Sequence, residues 1–427
     1  MELKIGTARE CITPEIGGLL MGYGSSVPSD SVHDGLNATA IALEYGQEKV
    51  ILLSLDLCLI ENDLTAELRE ACGRAANIPA ANVLLATTHT HSGPNFDGSG
   101  DGGYVDNILM PRLISAAGNC VKNMRPATVG IAKANTLTGI NRRELLADNS
   151  VILGQNPWGP YDPEMTVISF KGADGKIIAN IVHCTAHNTG SGINTEISRD
   201  WCGVMVDRLE KESGAVTAFF NGCAGDVAPR IPNGGSDGGE NGGQIALALE
   251  LGSLAGIDAV RTYRDIREFR EMDLAVVNGE IRIPFEEIKP LTTARAEFAK
   301  YKDTEGWFGE YIRRILTEVI EMHERGDTGP KDFVIEQTLV RLGPVVFVPI
   351  PFEPFTELSL RLRKYSAYGH TLAVGYCNGS NSYLPTEDQI VRGGYEIDCF
   401  HWGMARQLPP DTDSRVINGN LKIMEKF

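Results

Sequence analysis

No stretch of the 427 residues approaches the ~20 consecutive apolar residues that a membrane-spanning helix needs. The most apolar run, residues 50–60, is short and broken by Asp56. None of the nine cysteines forms a close Cys-x-x-Cys pair, and the count is odd. That disfavours a disulfide framework or a cysteine zinc knuckle and favours reduced thiols. The sequence opens without a basic region followed by an apolar one, so a secretory signal is not expected and a cytoplasmic setting is. Basic residues are also short relative to acidic ones, 39 against 56, giving a formal net charge of −17. Such a surface repels phosphate backbones and argues against a nucleic-acid partner. The glycine-rich segments 97–103 and 234–243 lack the strand, glycine loop, helix and Lys of a phosphate loop, and are read as loops near a site.

What remains is an ordinary globular balance, 42% hydrophobic and 22% charged, ample for a sizeable core. Buried-strand runs at 38–43, 50–57, 83–86, near Val129, 166–170, 177–183 and 217–220 alternate with helical patterns at 64–76, 108–121, 204–212 and 244–260. Strands resume at 333–342, 345–350 and 371–376, with helices at 355–365 and 415–424. Alternation of this kind predicts an α/β protein of mixed β-sheets flanked by helices. Residues 292–325 read as a long amphipathic helix or helix pair ended by Gly326 and Gly329. Without a linker or repeat, residues 1–427 are expected to form one catalytic domain with a helical insertion at about 291–326.

Histidine is scarce, eight in all, and four of the eight follow apolar strands in two short segments. In the first, the strand leads into Thr88, His89, Thr90, His91, Ser92, Gly93 and Pro94. Residues two apart in extended backbone share a face, so both imidazoles can reach one cavity. The second segment carries His183 at the strand end and His187 just beyond. Two histidines with a carboxylate suit a catalytic metal, and Glu353, after another strand, is the candidate. Taken alone, Glu353 reads better as an acid at a helix N-terminus, favoured by the dipole. Asp226, in the small-residue turn 221–229, orients a ligand or caps a helix. Asn141, Arg142 and Arg143 offer an anion or carbonyl contact, or surface ion pairs. Asn381 and Tyr383 follow a further strand, where a Tyr is commonly core or rim.

Taken together, these pieces resemble the catalytic domain of the neutral/alkaline, non-lysosomal ceramidase family. The resemblance rests on Ile12-Thr-Pro, His33-Asp, Ser54-Leu-Asp56-Leu, Thr88 to Pro94, Asn141-Arg142, Asp162-Pro-Glu-Met-Thr166, Val182-His183, Gly225-Asp-Val227, Pro351-Phe-Glu353 and Tyr383-Leu-Pro-Thr386. It covers most of the chain. It implies a neutral-ceramidase-like α/β catalytic domain without the family's immunoglobulin-like C-terminal domain. It also implies one zinc ion held by His89, His183, Glu353 and Tyr383. His91 then stands beside the metal as proton carrier, with His187 as a second catalytic histidine. Arg142 reaches the substrate, and Asn141, Arg143, Asp226 and Asn381 are candidate substrate contacts. Asp56, His33, Asp200 and Asp226 are candidates for orienting the histidines.

The family cleaves the amide bond of ceramide, zinc polarising the carbonyl and lowering the pKa of bound water to ~7. Where the family carries a serine after Gly-Asp-Val, this chain has Ala228, which favours direct attack by metal-bound water on a different substrate. The expectation is a zinc-dependent hydrolase of an amide or ester bond in a small polar molecule, sugar-derived or N-acylated, homo-oligomeric assembly being compatible. Two alternatives stand beside it: a zinc-assisted carbohydrate-active enzyme (lyase or glycoside-cleaving), and a non-catalytic ligand-binding protein on the same scaffold. Manganese or iron would suit the same donors.

Overall fold

The computed structural model describes residues 1–23, 28–95, 103–231 and 245–427. The chain folds as an α/β protein around two sheets packed face to face. The larger has eight strands, in the order Val216–Asn221, Ile177–Cys184, Glu164–Gly172, Arg125–Asn135, Lys4–Cys11, Asn37–Tyr45, Glu48–Leu55 and Val83–Thr87. Its interior pairs are antiparallel, but the outermost pair at each end is parallel. The strands at both ends therefore deliver their carboxyl ends to loops, where α/β proteins build sites.

The sheet curls until those ends face one another: the Ser54 hydroxyl donates to the Phe219 carbonyl across the closure at 2.6 Å. The loops after Thr87 and Cys184 thus come together, although the strands stand at different ends of the strand order. The second sheet runs Leu274–Pro284, Asp332–Leu342, Val345–Pro349 and His370–Val374. Between the sheets lies a core of Leu52, Leu84, Ile168, Phe170, Phe220, Leu342, Phe347 and Leu372. Burying each such side chain is worth about 1.5–3 kcal/mol, so this seam fixes how the sheets dock.

Helices cover the outer faces. Asn62–Ala76 and Met110–Lys122 pack on one half of the large sheet, and Asp200–Ser213 and Ile245–Arg264 on the other. Thr356–Tyr365 and Thr412–Met424 cover the small sheet. Leu291–Tyr301 and Trp307–Arg325 form a helix pair with a small core of Ala294, Ile312, Leu316 and Val319. Gly326 closes the second helix in the left-handed conformation (φ 65°), which glycine adopts without penalty.

Most sequence-predicted elements are present within a few residues. Two long strands, Lys4–Cys11 and Leu274–Pro284, are additions. All nine cysteines are free and eight are buried. Among the described residues, no helix is long and apolar enough to cross a membrane.

Candidate metal centre

His89 follows the edge strand Val83–Thr87, its N–H bonded to the Leu57 carbonyl at 2.9 Å. Its backbone is left-handed (φ 66°), a conformation costing a non-glycine residue about 1–3 kcal/mol and characteristic of functional positions. His187 lies beyond Ile177–Cys184, its N–H held by the Val227 carbonyl at 2.9 Å. Glu353 pairs in parallel register with Tyr383, and its N–H donates to the Ser382 carbonyl at 2.9 Å. Gly225 makes this arrangement feasible: a Cβ there would sit 2.4 Å from the Glu353 carbonyl oxygen. The Gly-Asp-Val turn is thus pressed against the carboxylate's own backbone.

Three donor atoms converge. Glu353 Oε2 lies 3.3 Å from His89 Nε2 and 3.4 Å from His187 Nε2, with all three side chains buried. Each imidazole is fixed through its other nitrogen: His89 Nδ1 lies 3.1 Å from the Cys58 carbonyl and His187 Nδ1 2.5 Å from that of Ala224. Donation from Nδ1 leaves the Nε2 lone pair facing the cluster, the tautomer a metal ligand needs. His187 Nε2 and Glu353 Oε2 have no hydrogen-bond partner although buried. Buried polar atoms are rarely orphaned, so the pair calls for a further ligand. Tetrahedral zinc with bonds of about 2.0–2.1 Å would space neighbouring donors about 3.3 Å apart, as observed. The residues fit a zinc ion. Without an ion, burial opposes ionisation of Glu353, yet the charge of His89 (itself raised to about 10 against burial, beside Cys58 and Glu353) and the His187 side chain outweigh it and hold the carboxyl well below the usual range. Burial, with the nearby Arg142 charge, lowers His187 to about 3, keeping the imidazole neutral.

His183 is not part of this cluster. It occupies the strand itself, opposite Thr166, and its Nε2 lies 3.0 Å from the Ala373 carbonyl of the small sheet. The strand continues to Cys184, which turns His183 toward the seam and leaves His187 in the loop that reaches the site. His187 therefore stands where the sequence reading had put His183.

His91 is one step out, its Nε2 3.2 Å from His89 Nε2 and its ring edge-on to Tyr23 at 4.6 Å between centroids. Gly22 (φ 114°) lies flat against it, since a Cβ there would be 2.3 Å from His91 Cγ. Burial, reinforced by the neighbouring histidines, holds His91 well below its usual pKa.

On the opposite side, Arg142 Nη2 donates to the Tyr383 hydroxyl at 3.0 Å and Nε to Glu396 Oε1 at 2.7 Å. Among the described residues no hydrogen bond engages Arg142 Nη1. Arg143 takes the other Glu396 oxygen at 2.7 Å and the Gly393 carbonyl at 2.7 Å. Neither arginine makes the exposed surface pair that was the alternative reading; both are buried on Glu396, which sequence reasoning missed.

Asn141 and Asp226 hydrogen-bond each other at 3.0 Å, with Asp226 also accepting the Thr356 N–H at 2.7 Å. Asn381 bridges the Pro351 carbonyl and Asn62, each at 2.7 Å. Asn141, Arg143, Asp226 and Asn381 are thus engaged in structural contacts. Asp56 accepts the Asn37 N–H, Asp200 the Gly190 and Ser191 N–H groups, and His33 lies 3.5 Å from Glu196. The imidazoles of His89 and His187 are oriented by backbone carbonyls instead. The 97–103 and 234–243 segments lie outside the described residues, Gly103 excepted.

Burial raises Asp226 from 3.8 to about 7. The folded state therefore holds this proton more tightly than the unfolded chain. The group's contribution to stability is full below pH 4 and lost as pH rises through about 7, by on the order of 2–4 kcal/mol. Urea unfolding of metal-free protein should show that decline between pH 4 and 7, with a flatter curve in that window for Asp226→Asn; parallel curves between pH 4 and 7 would contradict it.

No protein-family model matches the chain. The neutral ceramidase of Pseudomonas aeruginosa is 25% identical to it over 252 residues, 53% of this chain and 37% of that protein. Neutral ceramidase B of Dictyostelium discoideum is 25% identical over 49% of this chain and 33% of its own length. The match thus spans about a third of the length of these two relatives. The neutral ceramidase of Mycobacterium tuberculosis, 23% identical, aligns with 92% of this chain and 73% of its own. The crystal structure of the Pseudomonas aeruginosa neutral ceramidase superposes with a TM-score of 0.74 at 18% identity, covering 100% of this chain and 75% of that one. A ceramidase complexed with C2 gives 0.73 at 17%, covering 100% and 76%. In sequence and in fold, the chain is neutral-ceramidase-like.

Proposed function

We propose that the chain is a zinc-dependent hydrolase that cleaves an amide or ester bond in a small polar substrate, N-acylated or sugar-derived. The observation that carries this reading is the convergence of His89 Nε2, His187 Nε2 and Glu353 Oε2, with both imidazoles locked through Nδ1. The likeness to neutral ceramidases supports amide hydrolysis as the reaction class. Zinc, when held by these residues with Tyr383 beside them, supplies Lewis acidity toward a carbonyl and a nucleophile at neutral pH.

The chain's own groups do the rest. Arg142, immobilised by Glu396 and Tyr383, keeps Nη1 available to the oxygen that gains charge as the acyl carbon is attacked. His91, kept neutral by burial and braced by Gly22 and Tyr23, takes the proton from the attacking water and returns it to the leaving nitrogen or oxygen. Ala228 is buried and stands where the resemblance would place the family's serine, so this position offers no nucleophile for a covalent acyl intermediate. Direct attack by water is the consistent route.

Protein purified without added metal and then dialysed against zinc should hold about one zinc per chain. It should release free amine or alcohol from some members of a panel of N-acyl amino acids, N-acyl hexosamines and acyl esters. An unsaturated product from uronate sugars would replace hydrolysis with lyase chemistry. Failure to retain metal would sink the reading and leave a binding protein.

A further inference from the structure

Tyr376 falls in none of the motifs above, yet the fold spends backbone strain to place it at the centre. It follows the strand His370–Val374 in the left-handed region (φ 54°), unusual for a bulky side chain. Two hydrogen bonds force it there. Its carbonyl accepts the Thr87 N–H at 3.1 Å, and its N–H donates to the Phe352 carbonyl at 3.0 Å. Tyr376 is thus wedged between the residues that precede the His89 loop and Glu353. Around it Asn378 exchanges backbone and side-chain hydrogen bonds with Leu85, and Cys377 bridges Ala86. The segment is clamped to the free edge of the large sheet.

The ring lies flat on His89, with centroids 4.0 Å apart and planes 19° apart, and edge-on to His187 at 6.3 Å. The side chain is buried, and its hydroxyl has no hydrogen-bond partner among the described residues. A buried phenol normally finds an acceptor. Fixed φ, stacking on a candidate ligand and an orphaned hydroxyl are three separate observations. Packing alone would call for Phe and would not require the strained backbone to hold an unsatisfied O–H.

We infer that Tyr376 is a substrate-contacting residue whose phenol donates a hydrogen bond to the acyl oxygen of a ligand bound at the His89–His187–Glu353 centre. This rests on the hydrolase reading for its role in turnover, but not for its role in binding. Arg142 and Tyr376 then act as donors from two sides.

The test uses Tyr376→Phe, which keeps the ring and the stack and removes one oxygen. Zinc content and melting temperature should match the wild type. Affinity of the zinc-loaded protein for acetohydroxamate, measured calorimetrically, should fall about tenfold. With p-nitrophenyl acetate, kcat should fall about 10²-fold and KM should change little. Tyr376→Leu, which also removes the stack, should in addition weaken zinc binding. Unchanged acetohydroxamate affinity in Tyr376→Phe would overturn the inference, as would failure of wild type to bind the probe at all. Wild type that binds zinc and acetohydroxamate but hydrolyses no acyl substrate would sink the hydrolase reading, leaving Tyr376 to stand or fall on the binding measurement.

Discussion

A His187→Ala variant is expected to emerge from purification without zinc, whereas His183→Ala should retain it. Both residues end the same strand region, both are buried, and sequence resemblance favours His183. Geometry separates them: His187 Nε2 lies 3.4 Å from Glu353 Oε2, while His183 Nε2 faces the Ala373 carbonyl at 3.0 Å. Altering residues that merely support a ligand commonly costs roughly 10–100-fold in metal affinity, so loss of a ligand should exceed about 100-fold. His183→Ala instead leaves the buried Ala373 carbonyl unpaired, costing about 1–3 kcal/mol of stability. Metal analysis with thermal unfolding reads both effects. Loss of zinc from His183→Ala with retention in His187→Ala would refute the assignment.

Glu396→Ala should be among the most destabilising single changes available in the chain. The carboxylate is 1% exposed and takes one arginine on each oxygen, Arg142 and Arg143 at 2.7 Å. Removing it leaves two guanidinium groups buried, adjacent in sequence and without their counter-charge. Breaking a buried ion pair typically costs about 3–5 kcal/mol. The loss should also free Arg142, so any surviving activity should fall with it. Adding Arg143→Met to Glu396→Ala removes one of the stranded charges and should recover part of the stability, a non-additivity expected of residues in one network. A loss below about 1 kcal/mol in urea unfolding would mean that water reaches the triad and the burial argument fails.

The sequence made the strand ends visible and left ambiguous what each end presents. His89, His91 and Glu353 follow compact apolar runs, and the α/β rule that sites gather at such ends singled them out; the structure brings His89 and Glu353 together with His187. The family resemblance alone favours His183 over His187; which of the two faces the cluster depends on where the strand ends and how its last residues turn, which apolar patterning does not define. Lys4–Cys11 escaped because its sequence, KIGTAREC, is half polar, although it pairs along its whole length with Asn37–Tyr45. Leu274–Pro284 is an edge strand, partly exposed and interrupted by Asn278 and Gly279, so its alternation is weak. Tyr376 and Glu396 carry no local signature. The former depends on a left-handed turn and the latter on a helix, Tyr395–Trp402, arriving from a distant part of the chain.

The donors of the centre are shared between the two sheets. His89 and His187 leave the large sheet, whereas Glu353 follows a strand of the small one. More than 150 residues of chain separate His187 from Glu353. No single foldable fragment owns the complete set, so under the proposed function affinity for an ion would be a property of the docked pair of sheets. Ion retention is consequently a gauge of that docking: damage in the seam, at Phe347 or Phe170 far from any donor, would register as a faster ion off-rate before the protein loses its secondary structure.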